Sequence, residues 1–223
     1  MCSSDLIVPL FITTIALAML ASAQDTSSAG SAKLLLNFQR TSAYMESDSA
    51  APHAQGMEGL TSRNPGSTTH YPTTNECISI YADGSYTFER VEEKSYGKPK
   101  VRVYKGTLAA PQLAKLQSIT GDDAFRKVVI TEMPEPPENA TGVREGEIIQ
   151  TTVMRDDGPQ AFLLAKRRFA TSDPSGIDKY TSNWEKVEKP LKPFLSLMKD
   201  IEKEGQSRGK EGAASCQMTQ QPI

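Results

Sequence analysis

Hydrophobic positions follow three rhythms along this chain. Residues 6–20 (LIVPLFITTIALAML) form one almost wholly apolar, uncharged run. Between residues 33 and 169, short apolar segments are interleaved with polar positions, several at the period of two that marks a half-buried strand. Val187, Leu191, Phe194, Leu195, Met198 and Ile201 then recur at steps of three and four, the spacing of an amphipathic helix.

The middle rhythm predicts strands. Residues 33–40 (KLLLNFQR) read as a first strand, and residues 77–91 (CISIYADGSYTFERV) as a hairpin around Ala82-Asp83-Gly84. A two-residue Asp83-Gly84 turn would set Ile78 and Ile80 opposite Glu89 and Thr87. A three-residue loop at 82–84, closed by a glycine bulge, instead sets Ile80 opposite Tyr86 and Ile78 opposite Phe88. The second register gathers four large apolar side chains on one face, so burial favours it. Residues 100–106 (KVRVYKG) follow as a strand with Val101, Val103 and Lys105 on one face. Residues 147–154 and 160–169 form a second hairpin through Asp156-Asp157-Gly158-Pro159.

Two main helices are expected. Pro111 suits a first turn, where its missing N–H costs nothing; Leu113, Leu116 and Ile119 make the stripe, and Gly121 ends it. Residues 122–127 add a short turn that inserts Phe125, and residues 133–142 are a Pro-rich loop. The terminal helix spans about residues 188–203, with Pro190 and Pro193 accommodated if it begins near Pro190, and with Trp184 stapling its start. The expectation is an α+β domain over residues 33–203: an antiparallel sheet of about five strands, with two main helices packed on one face.

The first rhythm is an address. A core of about fifteen residues falls short of the roughly twenty that cross a bilayer as a helix. Ala21-Ser22-Ala23 supplies small residues at the positions signal peptidase reads, which makes 1–23 a signal peptide cleaved after Ala23. The segment before the run departs from pattern, since Met1-Cys2-Ser3-Ser4-Asp5 holds no Lys or Arg, which leaves open whether Met1 is the true start. The expected product is secreted or periplasmic, with no stable membrane insertion after cleavage.

Composition divides the remainder into core and appendages. Hydrophobic residues make up 38% of the chain, low for a compact domain, and the deficit is concentrated in a few segments. Residues 24–32 read as a linker and 204–223 as a mobile polar tail; residues 42–74, rich in Ser, Thr, Gly and Pro, read as a flexible insertion. The full chain carries 25 basic and 27 acidic residues, and Asp5 is the only charge that cleavage removes. So even a balance gives no support for a nucleic-acid partner.

The order of elements carries a resemblance. A first strand, the Ala82-Asp83-Gly84 hairpin, a strand ending in Tyr104-Lys105-Gly106-Thr107-Leu108, a Leu113/Leu116 helix, Phe125, a second hairpin and a Leu191/Leu195 helix together resemble small exported bacterial α+β domains of the emfourin-like type. Emfourin inhibits a thermolysin-type metalloprotease, so the resemblance implies protein binding and, as one possibility, protease inhibition. It covers about residues 33–203, rests on pattern, and assigns no inhibitory residue. The insertion at 42–74 departs from the compact form.

Candidate chemistry is sparse. The two histidines, His53 and His70, both lie in the expected insertion, where no rigid scaffold would hold a base. No HExxH, CxxC pair or glycine-rich phosphate loop occurs, so neither a metal nor a cofactor is expected, and no catalytic residue is assigned. Glu89, Glu92 and Glu93, Asp122-Asp123 and Asp156-Asp157 are the carboxylate groups that a hydrolase could pair, and each also matches surface or turn chemistry. Tyr81, Tyr86, Tyr96, Tyr104 and Trp184 could form a contact surface, or most of them simply complete the packing. Cys77 and Cys216 are the two cysteines left after cleavage, either joined as a disulfide or standing as two separate thiols. The reading is an exported, non-enzymatic domain that binds a protein or an envelope component; the alternative is an envelope hydrolase working through paired carboxylates.

Overall fold

The computed structural model describes residues 32–44, 72–94, 97–173 and 175–216. The signal segment with Ala23, residues 24–31 of the linker, 45–71 of the insertion with His53 and His70, Tyr96, and residues 217–223 lie outside the described residues. From Ala32 onward the described chain is one compact unit.

Its strands are β1 (Leu34–Tyr44), β2 (Thr73–Tyr81), β3 (Ser85–Glu93), β4 (Lys100–Thr107), β5 (Ala140–Arg155), β6 (Gly158–Thr171), β7 (Lys179–Ser182) and β8 (Lys210–Glu211). Its helices are α1 (Ala110–Gly121), α2 (Asp123–Arg126) and α3 (Glu188–Arg208), with a single 3₁₀ turn at Trp184–Lys186. All eight strands join one sheet in the order β7-β6-β5-β1-β2-β3-β4-β8, every neighbour antiparallel. The sheet of about five strands with two main helices is therefore corrected, among the described residues, to eight strands and three α-helices, still within the α+β class. The additions were hard to read because β7 and β8 are short and polar, with no apolar alternation. Helix α2 is one turn, set by the Asp122 carboxylate accepting the N–H groups of Ala124 and Phe125.

The hairpin register is the one burial favours, with Ile78 opposite Phe88 and Ile80 opposite Tyr86. Gly84 takes φ +84°, a conformation open to glycine at little cost. Ile78, Ile80, Tyr86 and Phe88 join Leu36 and Phe38 of β1, Ile149 and Val153 of β5, and Phe162 and Leu164 of β6 on one face of the sheet. The helices cover that face with Leu116, Phe125, Leu191, Phe194, Leu197, Met198 and Ile201. Phe194 is the hub, meeting Phe125, Phe38 and Phe162 edge-on at centroid distances of 5.3, 6.1 and 6.1 Å. Near the end of α3, Gly205 lies against Phe88 so closely that a Cβ would overlap the ring.

Three boundaries move. β1 extends to Tyr44 and β2 starts at Thr73, so both ends of the expected insertion belong to the sheet: Ser42 pairs with Thr74 and Ala43 with Thr73. Backbone pairing there does not depend on apolar side chains. Helix α3 begins at Glu188, two residues before Pro190, and runs to Arg208; Pro190 falls in the first turn, while Pro193 is inside the helix. The expected mobile tail is docked as far as Cys216. Residues 204–208 finish α3, Lys210 pairs with Val103, and the Gly212 N–H donates to the Val101 carbonyl.

The opposite face of the sheet is covered by two crossing segments. One is residues 127–134, which wraps the side of β6 that β7 is too short to reach. Gln160 Nε2 donates to the Phe125 and Val128 carbonyls at 3.0 and 3.1 Å, and the Leu163 N–H donates to the Ile130 carbonyl. Asn183, 6% exposed, accepts from the Ala165 N–H at 2.8 Å and donates to the carbonyls of Leu163 and Glu132. Met133 then lies on Ile148, Leu163 and Ala165. The other segment is the tail, joined to β2 by a Cys77–Cys216 disulfide.

Candidate functional site

On the helix side, α3 and the β6–β7 end of the sheet leave an open groove of about 860 Å³. Strand alternation brings Lys166, Tyr180 and Ser182 to its floor and wall: Lys166 pairs with Ser182, and Tyr180 pairs with Arg168. The 3₁₀ turn supplies Trp184, and α3 supplies Lys192, Leu195, Ser196 and Lys199 from its outward-facing side. Trp184 and Leu195 touch the core below while presenting surface to the groove, and Tyr180 is 61% exposed. Glu185 and Glu188 line the end where α3 begins, whereas Lys192 and Lys199 lie further along the helix. Lys166, Lys192 and Lys199 form no ion pair among the described residues.

Beneath this groove is a polar network. Arg40, which also lines the groove, reaches Glu202 Oε2 at 2.5 Å and Glu147 Oε1 at 3.1 Å. Next to it, Arg90 bridges Glu76 and Glu92, each at 2.8 Å, and Gln206 donates to Glu76 at 2.7 Å. Glu202 is only 2% exposed. Burial pushes its carboxyl up to about 7 against the pull of Arg40, with Glu76 and Glu147 adding repulsion. A buried pair of this kind fixes position more than it adds stability, because desolvation offsets most of the attraction. Arg40 and Glu202 thus lock the rotation of α3 over β1 and keep the guanidinium at the groove's edge. Neither residue was marked by the sequence reading. The available signal was a lone Glu one position beyond Ile201 on the apolar side of the helix.

The carboxylates that the sequence did suggest have other duties. Glu89 is 2% exposed and faces away from the helices. It accepts from the backbone N–H of Ser215 at 2.7 Å and of Cys216 at 2.9 Å, and from the Ser215 hydroxyl. Glu92 pairs with Arg90, and Glu93 accepts from the Thr73 hydroxyl at 3.2 Å. Asp122 caps α2, while Asp156 and Asp157 reach Lys33 and Arg126 from the hairpin turn. Nothing brings these groups into a shared cleft. Among the described residues, no three His, Cys, Asp or Glu side chains are grouped to hold a metal ion.

The tyrosines divide. Tyr86 and Tyr104 stack edge-on at 5.9 Å, and both hydroxyls donate to Glu204. Burial is the main cause that raises the Tyr86 phenol above its ordinary range. These rings are packing. The aromatic surface at the groove comes from Tyr180 and Trp184, of which only Trp184 was singled out in the sequence, both as a candidate contact residue and as a staple. It does pack on the core next to Val187 at the start of α3.

No family model matches the chain, and no curated protein matches it either. Among the described residues, no helix is long and apolar enough to cross a membrane.

Proposed function

We propose that this chain is an exported, non-enzymatic binding domain for a protein or envelope component, and that it makes contact through the groove between α3 and the β6–β7 end of the sheet. The observation that carries the reading is the composition of that groove: Trp184, Tyr180 and Leu195 stand beside three lysines that form no ion pair among the described residues. Partly exposed aromatic side chains supply area at low entropic cost, and such residues anchor most protein contacts. The Cys77–Cys216 bond supports export, since disulfides persist in oxidising compartments. The element order supports a protein partner through its resemblance to emfourin-like domains, so a thermolysin-type metalloprotease belongs in the partner panel.

The test is capture from an envelope and extracellular protein fraction with the disulfide-bonded chain as bait. Trp184→Ala and Lys192→Glu/Lys199→Glu baits should lose a captured partner that the native bait and Lys105→Glu, a change on the opposite face, both retain. Equal capture by all four baits would remove the groove from the contact.

A further inference from the structure

The two edges of the sheet are finished differently. At β4, the chain supplies its own extra strand: β8 pairs with Arg102 and Val103, and the disulfide holds the tail that follows. At the other edge, β7 pairs with β6 alone among the described residues. The Asn183 N–H donates to the Ala165 carbonyl, so alternation sets 165/183, 167/181 and 169/179 as the inward hydrogen-bonded pairs. The backbone N–H and C=O groups of Tyr180 and Ser182 therefore point out of the sheet. The side chains of these two residues line the groove. A strand laid along this edge would hydrogen-bond to Tyr180 and Ser182 and send every second side chain over the groove.

The charges around the groove decide what such a strand carries. Lys192 and Lys199 line the helix wall, Lys166 lies on the sheet, and Glu185 and Glu188 stand only at the end where α3 begins. Near the start of α3 the apolar surface is Trp184, and Leu195 follows in the middle. We propose that β7 is a strand-addition site for an extended acidic peptide segment of a partner protein. One face of that segment bears an apolar side chain, which meets Trp184 and Leu195, and carboxylates, which meet Lys192, Lys199 and Lys166. This rests on the binding-domain reading and names the partner's chemistry. Glu185 and Glu188 set the direction, by repelling the acidic end toward Lys199. With only Tyr180 and Ser182 offering outward backbone groups, the backbone bonds are few, and the groove supplies selectivity.

Trp184 is the sole tryptophan of the chain, so its emission reports the groove directly. The probe is a short tryptophan-free peptide with leucine and glutamates on one face and threonines on the other. It is titrated into the full disulfide-bonded chain. The expected result is a saturable change in Trp184 emission. Replacing the peptide's glutamates by lysines, or N-methylating its alternate amides, should each weaken binding about tenfold or more. Tyr180→Pro, which removes an outward N–H, should weaken it well beyond Tyr180→Ala, which removes only the phenol. The N-methylated peptide keeps the test valid should the proline variant fold poorly.

Equal binding of the N-methylated or lysine peptide would overturn strand addition. So would a chain that captures a partner through the groove and binds no acidic peptide; there the binding-domain reading stands and this inference falls. Concentration-dependent dimers that Tyr180→Pro dissolves would assign the edge to a second copy, overturning the peptide partner. Peptide binding that follows the expected pattern, together with capture indifferent to groove changes, would sustain the strand site and remove the proposed function.

Discussion

The two faces of the sheet are closed by different physics. The helix face is sealed mainly by large apolar side chains from eight elements gathered around Phe194, and the stabilisation from burying that area is non-directional. The opposite face has a small apolar patch under Met133, with Val91 and Phe169 buried apart from it, and its covering segments are held by a covalent bond and by polar clips at Glu89 and Asn183. A short tail has too little apolar surface to offset the entropy of ordering it. The disulfide and the Glu89 hydrogen bonds do that instead. The contrast teaches that a face without alternating hydrophobics can still be covered, provided specific contacts replace area.

The largest expected effect lies on the helix face. Phe194→Ala should cost about 3–5 kcal/mol, because the ring's partners cannot collapse into the space from both layers. Chemical denaturation measures it, and a loss below ~1 kcal/mol would break the account of Phe194 as the hub.

Next comes the staple. The bond closes a loop of 139 positions, for which the chain-entropy model gives a stabilisation of about 5 kcal/mol, and native bonds commonly contribute about 2–5 kcal/mol. Cys77→Ala/Cys216→Ala should lower the midpoint accordingly and expose the backbone amides at positions 215 and 216 to hydrogen exchange. The amides of Phe38 and Phe88 should keep their relative protection. Loss of protection on both faces together would show that the two are one cooperative unit.

Gly205→Ala sharpens the comparison from within the helix face. The added methyl meets the Phe88 ring, and overpacking of this kind costs about 1–3 kcal/mol. A further Phe88→Leu change should recover part of it, which thermal melts of the double variant will show.

A last effect is the pH dependence set by Glu202. Its carboxyl titrates at about 7 in the fold, against an ordinary value of 4.5, so the folded chain holds a proton that the unfolded chain has already released between those values. That contribution is complete below about pH 4.5 and is lost as pH rises through about 7. Glu202→Gln should flatten the fall in stability across this window, followed by urea midpoints at several pH values. An unchanged slope would assign the dependence to another group.

Much of the fold could be read from residue order. The alternation in residues 77–91 determined the hairpin register, because only one register puts Ile78, Ile80, Tyr86 and Phe88 on the same side. The three- and four-residue steps from Val187 to Ile201 determined the face of α3, and Asp122 and Phe125 marked the short helix between them. These are local patterns, and burial forces them whatever the rest of the chain does.

Tertiary structure decided the remainder. Strands β7 and β8 form where backbone groups of β6 and β4 were available to pair; Lys179–Ser182 and Lys210–Glu211 are too short, and lack the apolar alternation, to mark a strand by themselves. The groove required distant segments, since Lys166, Tyr180, Trp184 and Lys199 carry no common motif. Cys77 and Cys216 were visible as a pair of residues, and their bonding depended on a tail that only the sheet face could hold. Periodicity reports what one element buries; it carries no information about which polar backbone, charge or thiol another element will bring beside it.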